Sequence, residues 1–564
     1  MTNTTFSNRT LNDLIDTSCQ QHGSRPALGM AMATPLTYDE FRDRILRTAF
    51  VLADLGLQKG DRVAILAENS PEWCIAYLAI VRLGAVAVPI LPDFPEADVR
   101  HILGDSGARI LFTSERQMGE NYEAIGPALE TVITLDDGST TDSQVAVRTF
   151  SSLLAEKEVL SSDDLKTLAA TTATVTARDL AAIIYTSGTS GHSKAVMLTH
   201  QNLIANVASA NGVIAIKPDW TFLSILPLSH AYEFTLGFLL SLDNGARIVY
   251  PGARPTPTVL GKICQAEQPT VLCLVPLVME KIYKKKVQPL LTSHPIFRCA
   301  VRVPGLRRLI LRKIGSKLLD FFGGRLELLA IGGAAINCEV ERFLAEAGFP
   351  YIVGYGLTEA APLLAGGPFL DRTVAVGSVG KPIANVEIRI ANPLPDTGVG
   401  EIHARGPNIM LGYYKNPVLT RETINQEGWL ATGDLGVLDN RNNLFIKGRS
   451  KSVIVLSHGE NIYPEALEDK INSFPHVLES LAKENYGRLE AWVYLDYERI
   501  DQETKGQSQQ HKRQYIDGLL KKMQQEVNSQ LPVYSQITRF IEQQEPFIKT
   551  ATHKIKRYLY TDSD

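Results

Sequence analysis

The stretch AAIIYTSGTSGHSKAVMLTH, Ala181–His200, joins an apolar strand to a loop of glycine and hydroxyl residues. Glycines allow backbone N–H groups to turn towards an anion, hydroxyls add donors, and Lys194 adds a positive charge. The loop is not a Walker A loop, because no glycine directly precedes Lys194 and Ala195 follows it. A flexible Ser/Gly linker is the alternative, but linkers seldom separate a buried strand from an apolar continuation such as AVMLTH. We therefore predict a phosphate-holding loop that comprises Thr186, Ser187, Gly188, Thr189, Ser190, Gly191 and Lys194.

On the amino-terminal side of this loop, strand-like and helical segments alternate over residues 36–145. SPEWCIAYLAIVRLG predicts a helix that starts at a Ser-Pro pair, and AVAVPIL predicts the strand after it. Because such alternation requires crossover connections, it predicts a largely parallel, doubly wound sheet. The segments TVLCLVP and YIVGYG predict a second sheet of the same kind in the middle of the chain.

The composition changes after the second predicted sheet. Glycines, prolines and alternating residues over Ser378–Leu444 predict antiparallel strands and turns, which we assign to a small β-barrel-like subdomain. The predicted fold class is α/β, with a large amino-terminal domain of doubly wound sheets at residues 1–448. A hinge at 449–451 and a small α+β carboxyl-terminal domain at 452–564 complete the predicted organisation.

Length and composition exclude several classes of protein. The 564 residues exceed what one hydrophobic core usually supports, so more than one domain is expected. A net charge of −4, with 45% hydrophobic and 21% charged residues, argues against a nucleic-acid partner and is ordinary for a soluble protein. The six cysteines include no C-x-x-C pair, which favours reduced thiols over disulfides or zinc. Neither an export signal nor a transmembrane span is visible, so we expect a cytoplasmic protein.

Further motifs follow the loop and give the sequence its resemblance to a known family. The segment Ala181–His200 resembles the phosphate-binding signature YTSGTTGxPKGV of the adenylate-forming (ANL) superfamily of AMP-dependent synthetases and ligases. The other segments similar to this family's motifs are, in the family's order, LPLSHAYE (Leu226–Glu233), AIGGAAI (Ala330–Ile336), VGYGLTEAAP (Val353–Pro362), GEIHARGPNIMLGYYKNP, GWLATGDLG, IKGRSKSVIVLSHGENIYPEALE and KTATHKIKR. LPLSHAYE, NIYPEALE and KIKRYLY look most like the long-chain fatty acyl-CoA synthetase branch.

The resemblance implies a nucleotide site beyond the phosphate loop. Tyr355 would stack on adenine, and Asp434 and Arg449 would hold the ribose hydroxyls. The motifs AIGGAAI and VGYGLTEAAP would bring the backbone close to the nucleotide at Gly332, Gly333, Ala334 and Gly356.

The resemblance also implies the catalytic residues of an adenylation step. Glu359 would bind Mg²⁺, since a hard carboxylate suits this ion, and Thr358 beside it would donate to the α-phosphate. Lys554 would be the mobile lysine that neutralises the reacting carboxylate and the α-phosphate. An exposed basic tail is the alternative for KTATHKIKR, but its position after all the other motifs favours the catalytic role.

A second half-reaction, transfer of the acyl group to a thiol, is implied for the carboxyl-terminal domain. That domain would swing about the hinge residue Lys451, so that Lys554 leaves the site. His458 and Gly459 would then line the CoA channel. His458 stands where many members of the family have a glycine, which leaves the shape of the channel open.

The LPLSHAYE segment supplies the candidates for the acyl site. His230 is a candidate gate or acyl-adenylate contact, with Tyr232 or Phe234 as an aromatic flap. A satisfied core histidine is the alternative. In the phosphate loop, Ser193 and Ala195 replace the usual Pro and Gly of the family, and neither change removes a donor.

Taken together, the motifs imply an ATP-dependent acyl-CoA synthetase with Mg²⁺, ATP and coenzyme A as cofactors or co-substrates. Its expected reaction is long-chain fatty acid–CoA ligation through an acyl-AMP intermediate, with release of pyrophosphate and AMP. The alternatives are a ligase for an aromatic or shorter acid, an acyl-carrier-protein synthetase, and a catalytically inactive nucleotide- or acyl-binding homologue. Intact Lys194, Glu359, Asp434, Arg449 and Lys554 argue against the inactive homologue.

Residues 281–322 carry a block of basic side chains with no Asp or Glu between its first and last lysine. Within it, Leu306, Ile310, Ile314 and Leu318 recur every four positions with basic residues between them, which predicts a basic amphipathic helix. Such a helix can lie on an anionic membrane, so we expect peripheral contact with the inner face of the membrane. A helix packed on the protein's own core is the alternative, and contact with the 3′-phosphate of CoA is a third interpretation.

Overall fold

The computed structural model describes most of the chain. The described residues are 8–126, 129–137, 146–186, 193–252, 255–292, 303–367, 369, 371–455, 461–550 and 554–560.

The described chain contains 27 strands, numbered in chain order. They are β1 Pro26–Met30, β2 Leu36–Thr37, β3 Arg62–Leu66, β4 Val86–Pro89, β5 Ile110–Thr113, β6 Thr131–Thr134, β7 Val147–Thr149, β8 Leu180–Thr186, β9 Lys194–Thr199, β10 Thr221–Leu223, β11 Arg247–Tyr250, β12 Val271–Leu274, β13 Leu328–Ile331 and β14 Tyr351–Val353. The later strands are β15 Tyr355–Gly356, β16 Leu363–Gly366, β17 Lys381–Pro382, β18 Glu387–Ala391, β19 Gly400–Arg405, β20 Gly412–Tyr413, β21 Leu430–Leu438, β22 Leu444–Arg449, β23 Ile454–Val455, β24 Asn461–Ile462, β25 Val477–Asn485, β26 Arg488–Leu495 and β27 Arg539–Gln543.

The α-helices alternate with these strands in the first two thirds of the chain. They are α1 Leu11–His22, α2 Tyr38–Asp54, α3 Pro71–Arg82, α4 Glu96–Ser106, α5 Glu115–Glu120, α6 Phe150–Ala155, α7 Ser162–Thr172, α8 His200–Asn211, α9 Leu240–Asp243, α10 Pro257–Glu267, α11 Pro276–Ile282, α12 Gln288–Thr292, α13 Pro304–Phe321, α14 Cys338–Ala347, α15 Pro417–Thr423, α16 Pro464–Asn472, α17 Tyr497–Glu503 and α18 Gln509–Asn528. The π-helices are Glu233–Leu239 and Tyr283–Val287, and the 3₁₀ turns are Thr358–Ala360, Ser450–Ser452, Val533–Ser535 and Arg557–Leu559.

The first large sheet has eight strands in the order β20-β9-β8-β4-β3-β5-β6-β7. Strands β8, β4, β3, β5, β6 and β7 run parallel to their neighbours, whereas β9 and β20 are antiparallel additions at one edge. The helix predicted from SPEWCIAYLAIVRLG is α3, which begins at Pro71 after the side chain of Ser70 accepts the Trp73 N–H at 3.2 Å. This sheet confirms the parallel, doubly wound fold predicted from the alternation over residues 36–145.

The second large sheet has seven strands in the order β14-β13-β12-β10-β11-β1-β2. All of its pairs are parallel except β1–β2. The largest buried cluster includes residues of both sheets, such as Ile65, Phe222 and Ile248, so the two sheets share one core. The second sheet was predicted from TVLCLVP and YIVGYG and is confirmed.

Two smaller parts complete the architecture. The segment predicted to be antiparallel forms the four-stranded sheet β18-β19-β21-β22. Near the carboxyl terminus, the sheet β25-β26-β27 packs with α16 and α18 over a separate buried cluster that includes Ile471, Val493 and Met523. Across the described ranges, we find no helix with both the length and the apolarity needed to cross a lipid bilayer.

Candidate active site

The carboxyl ends of β12, β13 and β14 open onto one cleft. Parallel strands place the residues that follow them at a common edge, which is where α/β proteins usually bind ligands. Gly332 and Gly333 come directly after β13, and Gly333 adopts a φ of +85°, a left-handed conformation that favours glycine. A Cβ on Gly332 would lie 3.4 Å from Cζ of Tyr232, so the backbone and this ring are in close contact.

Asp434 organises one side of the cleft. Strands β21 and β22 pair antiparallel with Asp434 opposite Arg449, and Arg449 Nε lies 3.1 Å from Asp434 Oδ1. The Tyr355 hydroxyl donates to the other carboxylate oxygen, Oδ2, at 2.7 Å. Burial and the neighbouring carboxylate raise the pKa of Tyr355 well above its ordinary value, so the phenol stays a donor. The structure therefore brings together the three residues predicted to hold the adenosine part of the nucleotide.

Glu359 lies on the phosphate side of the cleft, beside Lys194. The Tyr413 hydroxyl donates to Glu359 Oε1 at 2.9 Å, and Lys194 Nζ lies 5.1 Å from the centroid of the Tyr413 ring. The antiparallel pair β20–β9, with Tyr413 opposite Val196, produces this arrangement. Tyr413 lies within GEIHARGPNIMLGYYKNP. The sequence assigns it no role, because a tyrosine in a motif does not reveal which side chain it orients.

The donor set around Glu359 fits a magnesium ion. Glu359 is half-buried, and no described residue donates a hydrogen bond to its second oxygen, Oε2. Among the described residues, no three His, Cys, Asp or Glu side chains cluster to hold a metal by themselves. Mg²⁺ typically takes one or two carboxylates and completes its shell with water and substrate phosphates, so one carboxylate oxygen without a described donor suits it.

Lys554 reaches this cluster from the carboxyl-terminal part of the chain. Its pKa is lowered, first by burial of its charge among protein atoms and then by the positive charge of Arg449, whereas Asp434 and Glu359 oppose the shift. By its accessible surface, Lys554 is nevertheless an exposed residue. The structure thus places this residue next to the predicted nucleotide and metal residues, although about a hundred positions separate it from Arg449 in the sequence.

His230 lies between this cluster and the interior of the cleft. Burial, with a contribution from the charge of Lys554, lowers the pKa of His230 to about 4, so the ring is neutral at neutral pH. Its Nδ1 accepts the Tyr232 N–H at 3.2 Å, which places the ring proton on Nε2. His230 therefore presents an N–H donor to the cleft without a charge.

The cleft continues from Thr358 and His230 into an apolar interior. The space between its walls is about 830 Å³ when the open solvent at its mouth is counted, and the centre of a water-sized sphere can occupy about 90 Å³ of it. Its deeper walls are formed by Ala210, Val213, Ile214, Ile216, Leu236, Leu240, Val271, Cys273, Leu328, Ala330, Ile352 and Leu363. Because Val271 and Leu328 are the first residues of β12 and β13, the cleft follows these strands along their whole length, roughly 10 Å.

Of the two aromatic residues predicted as flaps, only Tyr232 lines the cleft. The prediction for Phe234 is wrong, because its side chain points into the core on the other side of the π-helix. Phe234 is 3% exposed, and its ring centroid lies 4.3 Å from that of Tyr77.

The remaining predicted residues fall into two groups. Thr186 ends β8, Gly356 ends β15, and Ala334 is exposed beyond β13. Lys451 is exposed in the turn Ser450–Ser452 between β22 and β23. The residues that lie outside the described ranges are Ser187, Gly188, Thr189, Ser190, Gly191, His458 and Gly459.

A polar contact that the sequence did not reveal holds the carboxyl-terminal part against the large sheets. Lys284 Nζ donates to the backbone carbonyls of Asn472 and Val477, each at 3.1 Å. Asn337 Nδ2 donates to Asp469 Oδ1 at 3.2 Å. These contacts join α14 and the π-helix Tyr283–Val287 to α16 and β25. They thereby hold the carboxyl-terminal part, which carries Lys554, against the large sheets. In the sequence, Lys284 is one more member of a basic block. Its acceptors are main-chain atoms far along the chain, so the sequence around it gives no sign of the contact.

Residues 15–414 match the family model described as AMP-binding enzyme. The chain belongs to this family. Long-chain-fatty-acid–CoA ligase FadD15 of Mycobacterium bovis is 31% identical to this AMP-binding enzyme over 487 residues, which cover 79% of this chain and 75% of the relative. A long-chain-fatty-acid–CoA ligase of Escherichia coli is 29% identical over 498 residues, 84% of this chain and 82% of the relative.

Solved structures show the same fold for this AMP-binding enzyme. The crystal structure of the anthranilate CoA ligase AuaEII in complex with anthranoyl-AMP superposes with a TM-score of 0.78 at 20% sequence identity. The superposition covers 98% of this chain and 97% of that chain. The predicted membership of the adenylate-forming superfamily and the predicted fold class are therefore confirmed.

Proposed function

We propose that this protein is an ATP-dependent acyl-CoA synthetase that ligates a long-chain fatty acid to coenzyme A through an acyl-AMP intermediate. The observation that carries the proposal is the apolar cleft, which opens at Thr358 and His230 beside the cluster of Glu359, Asp434 and Lys554. An acid whose carboxylate meets Lys554 can extend its chain along β12 and β13. The fatty acid ligases among the relatives support the same acid class.

In the first half-reaction, a carboxylate oxygen of the acid attacks the α-phosphorus of ATP. A C–O–P bond forms, the bond between the α-phosphorus and its bridging oxygen breaks, and pyrophosphate leaves. Lys554 would neutralise charge on the acid and the α-phosphate as they approach, and Thr358 would donate to the α-phosphate. Lys194 would hold the departing pyrophosphate. Mg²⁺ held by Glu359 and the nucleotide phosphates would neutralise phosphate charge.

In the second half-reaction, the CoA thiol attacks the acyl carbonyl, the thiol proton is lost, and AMP leaves. We propose that the residues fall into a large domain at 1–448, a hinge at 449–451 and a small domain at 452–564, and that rotation about Lys451 withdraws Lys554 before this step. His458 and Gly459 remain the proposed walls of the CoA channel. His230, neutral and with its Nε2 proton towards the cleft, would donate to the acyl carboxyl or carbonyl oxygen.

The panel test of this proposal uses acids of different shape. Long-chain, medium-chain, short-chain and aromatic acids are each supplied with ATP, with and without CoA, and pyrophosphate release is measured. We expect long-chain acids to give the highest kcat/KM and CoA to allow turnover. Preference for an aromatic acid would favour the alternative substrate class, for which the likeness to an anthranilate CoA ligase is the supporting observation. Pyrophosphate release that stays at the background rate with every acid in the panel would favour an inactive homologue.

A substitution halfway along the cleft sharpens this test. Cys273, Ala330 and Ile352 form a row across β12, β13 and β14, with Val271 and Leu328 deeper in the cleft. In Ala330→Phe, the ring would close the cleft at this row. We expect kcat/KM to fall more than about tenfold for long acids and to change little for short ones. An equal loss for long and short acids would contradict the path that we assign to the chain.

We further propose a peripheral membrane contact through residues 281–322, on the inner face of the membrane of a cytoplasmic enzyme, but with a different helix face from the one predicted. Within the predicted apolar stripe, Ile314 and Leu318 pack with Leu311 in the core beneath α13, as the alternative of a helix packed on the protein's own core requires. The outer face of α13 instead exposes Leu306 and Leu309, which are 45% and 65% exposed.

Basic side chains flank this exposed apolar pair. Arg308, Arg312 and Lys313 are all exposed on α13, whereas Arg307 is paired with Glu346 at 2.6 Å. Each cation near an anionic lipid surface contributes about 1 kcal/mol to binding, and inserted leucines add to this. The exposed face therefore combines the two features that hold proteins on membranes.

For this contact, we expect the double variant Arg308→Glu/Arg312→Glu to lose most of its co-flotation with vesicles that contain anionic lipid. Leu309→Asp should weaken flotation at all salt concentrations, because it removes inserted apolar surface. Lys521→Glu/Lys522→Glu, a charge reversal of equal size on the exposed side of α18, is the matched control and should float as the unmodified protein does. Flotation unaffected by the α13 substitutions would refute the contact.

A further inference from the structure

Lys554 is carried by a short hairpin that is fixed on both of its arms. Lys549 and Ile555 form an antiparallel bridge, and the Thr550 N–H donates to the Lys554 carbonyl at 2.8 Å. The Lys554 N–H donates to Thr550 Oγ1 at 3.2 Å. The Lys556 N–H donates to the Ile548 carbonyl at 2.9 Å. Because the backbone of Lys554 is held this way, the anchoring of the hairpin sets the region that its ammonium group can reach.

The main anchor of the hairpin is Arg557, three residues beyond Lys554. Its Nη2 forms an ion pair with Glu468 Oε2 on α16, and its Nη1 donates to the Ala482 carbonyl on β25 at 3.4 Å. The other oxygen of Glu468 accepts the Ala482 N–H at 2.7 Å. A second carboxylate, Glu465, lies 4.0 Å from the same guanidinium. Arg557 therefore ties the hairpin to a helix and a strand at once.

The charge of Glu468 has no other described cation against it. Its side chain is 11% exposed, and burial raises its pKa while Arg557 opposes the shift. A buried carboxylate that loses its only cation is costly, because neither water nor another charge replaces it. Loss of Arg557 would release the hairpin, and Glu468, whose pKa burial raises, would take up a proton, which limits the effect on α16 and β25.

Further contacts hold both arms of the hairpin in place. Lys483 Nζ donates to the Tyr560 carbonyl at 2.6 Å, and the Ile548 N–H donates to the Tyr560 hydroxyl at 2.8 Å. The Tyr560 ring centroid lies 5.2 Å from that of Phe547. On the opposite arm, Lys549 pairs with Glu479 of β25. The anchors named above lie within residues 464–560, and none of them is among the described residues that line the cleft.

We propose that Arg557 and Glu468 are positioning residues for the adenylation step: their ion pair fixes the hairpin that presents Lys554 to the reacting groups. This inference rests on the proposed function. Only the first half-reaction uses Lys554, so loss of the pair should affect that half-reaction alone. Displacement of a catalytic group by about 1 Å can cost about 100-fold in rate, whereas binding of ATP, which uses Asp434 and Arg449, should be retained.

The test measures the two half-reactions separately. Acid-dependent pyrophosphate exchange reports adenylation, and consumption of preformed acyl-AMP with CoA reports thioester formation. In Arg557→Ala and in Glu468→Gln, we expect the kcat of adenylation to fall about 10- to 100-fold. The KM for ATP and the rate of thioester formation should stay within about twofold. Arg557→Lys keeps the charge but cannot reach both Glu468 and Ala482, so it should recover part of the lost rate.

The matched control is Arg513→Ala, which breaks another ion pair between an arginine and a buried carboxylate in the same part of the chain. Its partner, Glu542, is 8% exposed, and the two residues of this pair lie outside the hairpin arms 548–550 and 554–557. We expect Arg513→Ala to leave both half-reactions unchanged while it lowers the melting temperature at least as much as Arg557→Lys. Equal losses in both half-reactions, or an unchanged adenylation rate in Arg557→Ala and Arg557→Lys, would overturn the proposal.

Lys554→Ala, measured in parallel, separates the two levels of inference. If Lys554→Ala loses adenylation and the Arg557 variants do not, the positioning role fails and the proposed function stands. If Lys554→Ala adenylates at the unmodified rate, the role of the lysine itself fails. Should Arg557→Ala not fold, Arg557→Lys and Glu468→Gln decide the question by the same comparison.

Discussion

Replacement of Lys554 by alanine is expected to slow adenylation by about 100-fold or more while ATP still binds. The ammonium group stands beside Glu359, Asp434 and Arg449, where the acid and the α-phosphate would meet. Two anions approach each other in this step, so a preorganised cation lowers the barrier more than it stabilises the separate reactants. Pyrophosphate release with a saturating fatty acid measures the loss.

The controls for Lys554→Ala are two other variants of the same hairpin and a measurement of the second half-reaction. Lys556→Ala removes an equal charge two residues away and should leave adenylation within about threefold of the unmodified rate, as expected for a cation outside the reacting cluster. Lys554→Arg keeps the charge but replaces a point charge by a planar fork, so it should restore only part of the rate. Preformed acyl-AMP should still be converted to thioester by Lys554→Ala. A loss of that second step as large as the loss of the first would refute a role confined to adenylation.

The second large effect is expected from Asp434. Both of its carboxylate oxygens are engaged, one by Tyr355 and one by Arg449, and the side chain is 9% exposed. Asp434→Ala removes the proposed acceptor for the ribose hydroxyls and leaves the Tyr355 phenol and the half-exposed Arg449 guanidinium without their partner. Hydrogen bonds to a charged group contribute about 1.5–3 kcal/mol each, so we expect kcat/KM for ATP to fall about 100-fold or more.

Nucleotide analogues distinguish lost recognition from a damaged fold. The unmodified protein should discriminate ATP from 2′-deoxy-ATP and 3′-deoxy-ATP, whereas Asp434→Ala should treat at least one analogue as it treats ATP. Asp434→Asn, which preserves shape and one acceptor, should show an intermediate loss. If Asp434→Ala discriminates among the three nucleotides as strongly as the unmodified protein, Asp434 does not bind the ribose.

Much of the fold could be predicted because local signals agreed with the global arrangement. The Ser-Pro start of α3 and the apolar strands around it predict a parallel sheet without knowledge of any partner strand. The candidate nucleotide residues are proposed as a set because their motifs resemble those of one family, and local strand signals do not mark them: Arg449 ends β22, whereas Asp434 lies in the middle of β21. Their mutual geometry, such as the sharing of Asp434 by Tyr355 and Arg449, depends on the register of β21 against β22 and is not visible in either segment alone.

Two kinds of information were inaccessible from the sequence. Helical spacing in α13 identified an apolar stripe but could not tell which side faces the core, since Leu306 shares the spacing of Ile314 and Leu318 yet is exposed. Partners far apart in the chain were equally hidden: Arg557 and Glu468 are 89 positions apart, and each looks like an ordinary surface charge in its own segment.

The contact made by Lys284 has a consequence for how this enzyme can be recombined. Its acceptors are main-chain carbonyls at positions 472 and 477, which every amino acid provides. Substitution of the side chains at these two positions therefore leaves the acceptors in place, and the contact depends on the side chain of the lysine alone. A chimera that takes its last hundred or so residues from a distant relative should consequently still dock through Lys284, as long as the backbone between α16 and β25 keeps its course.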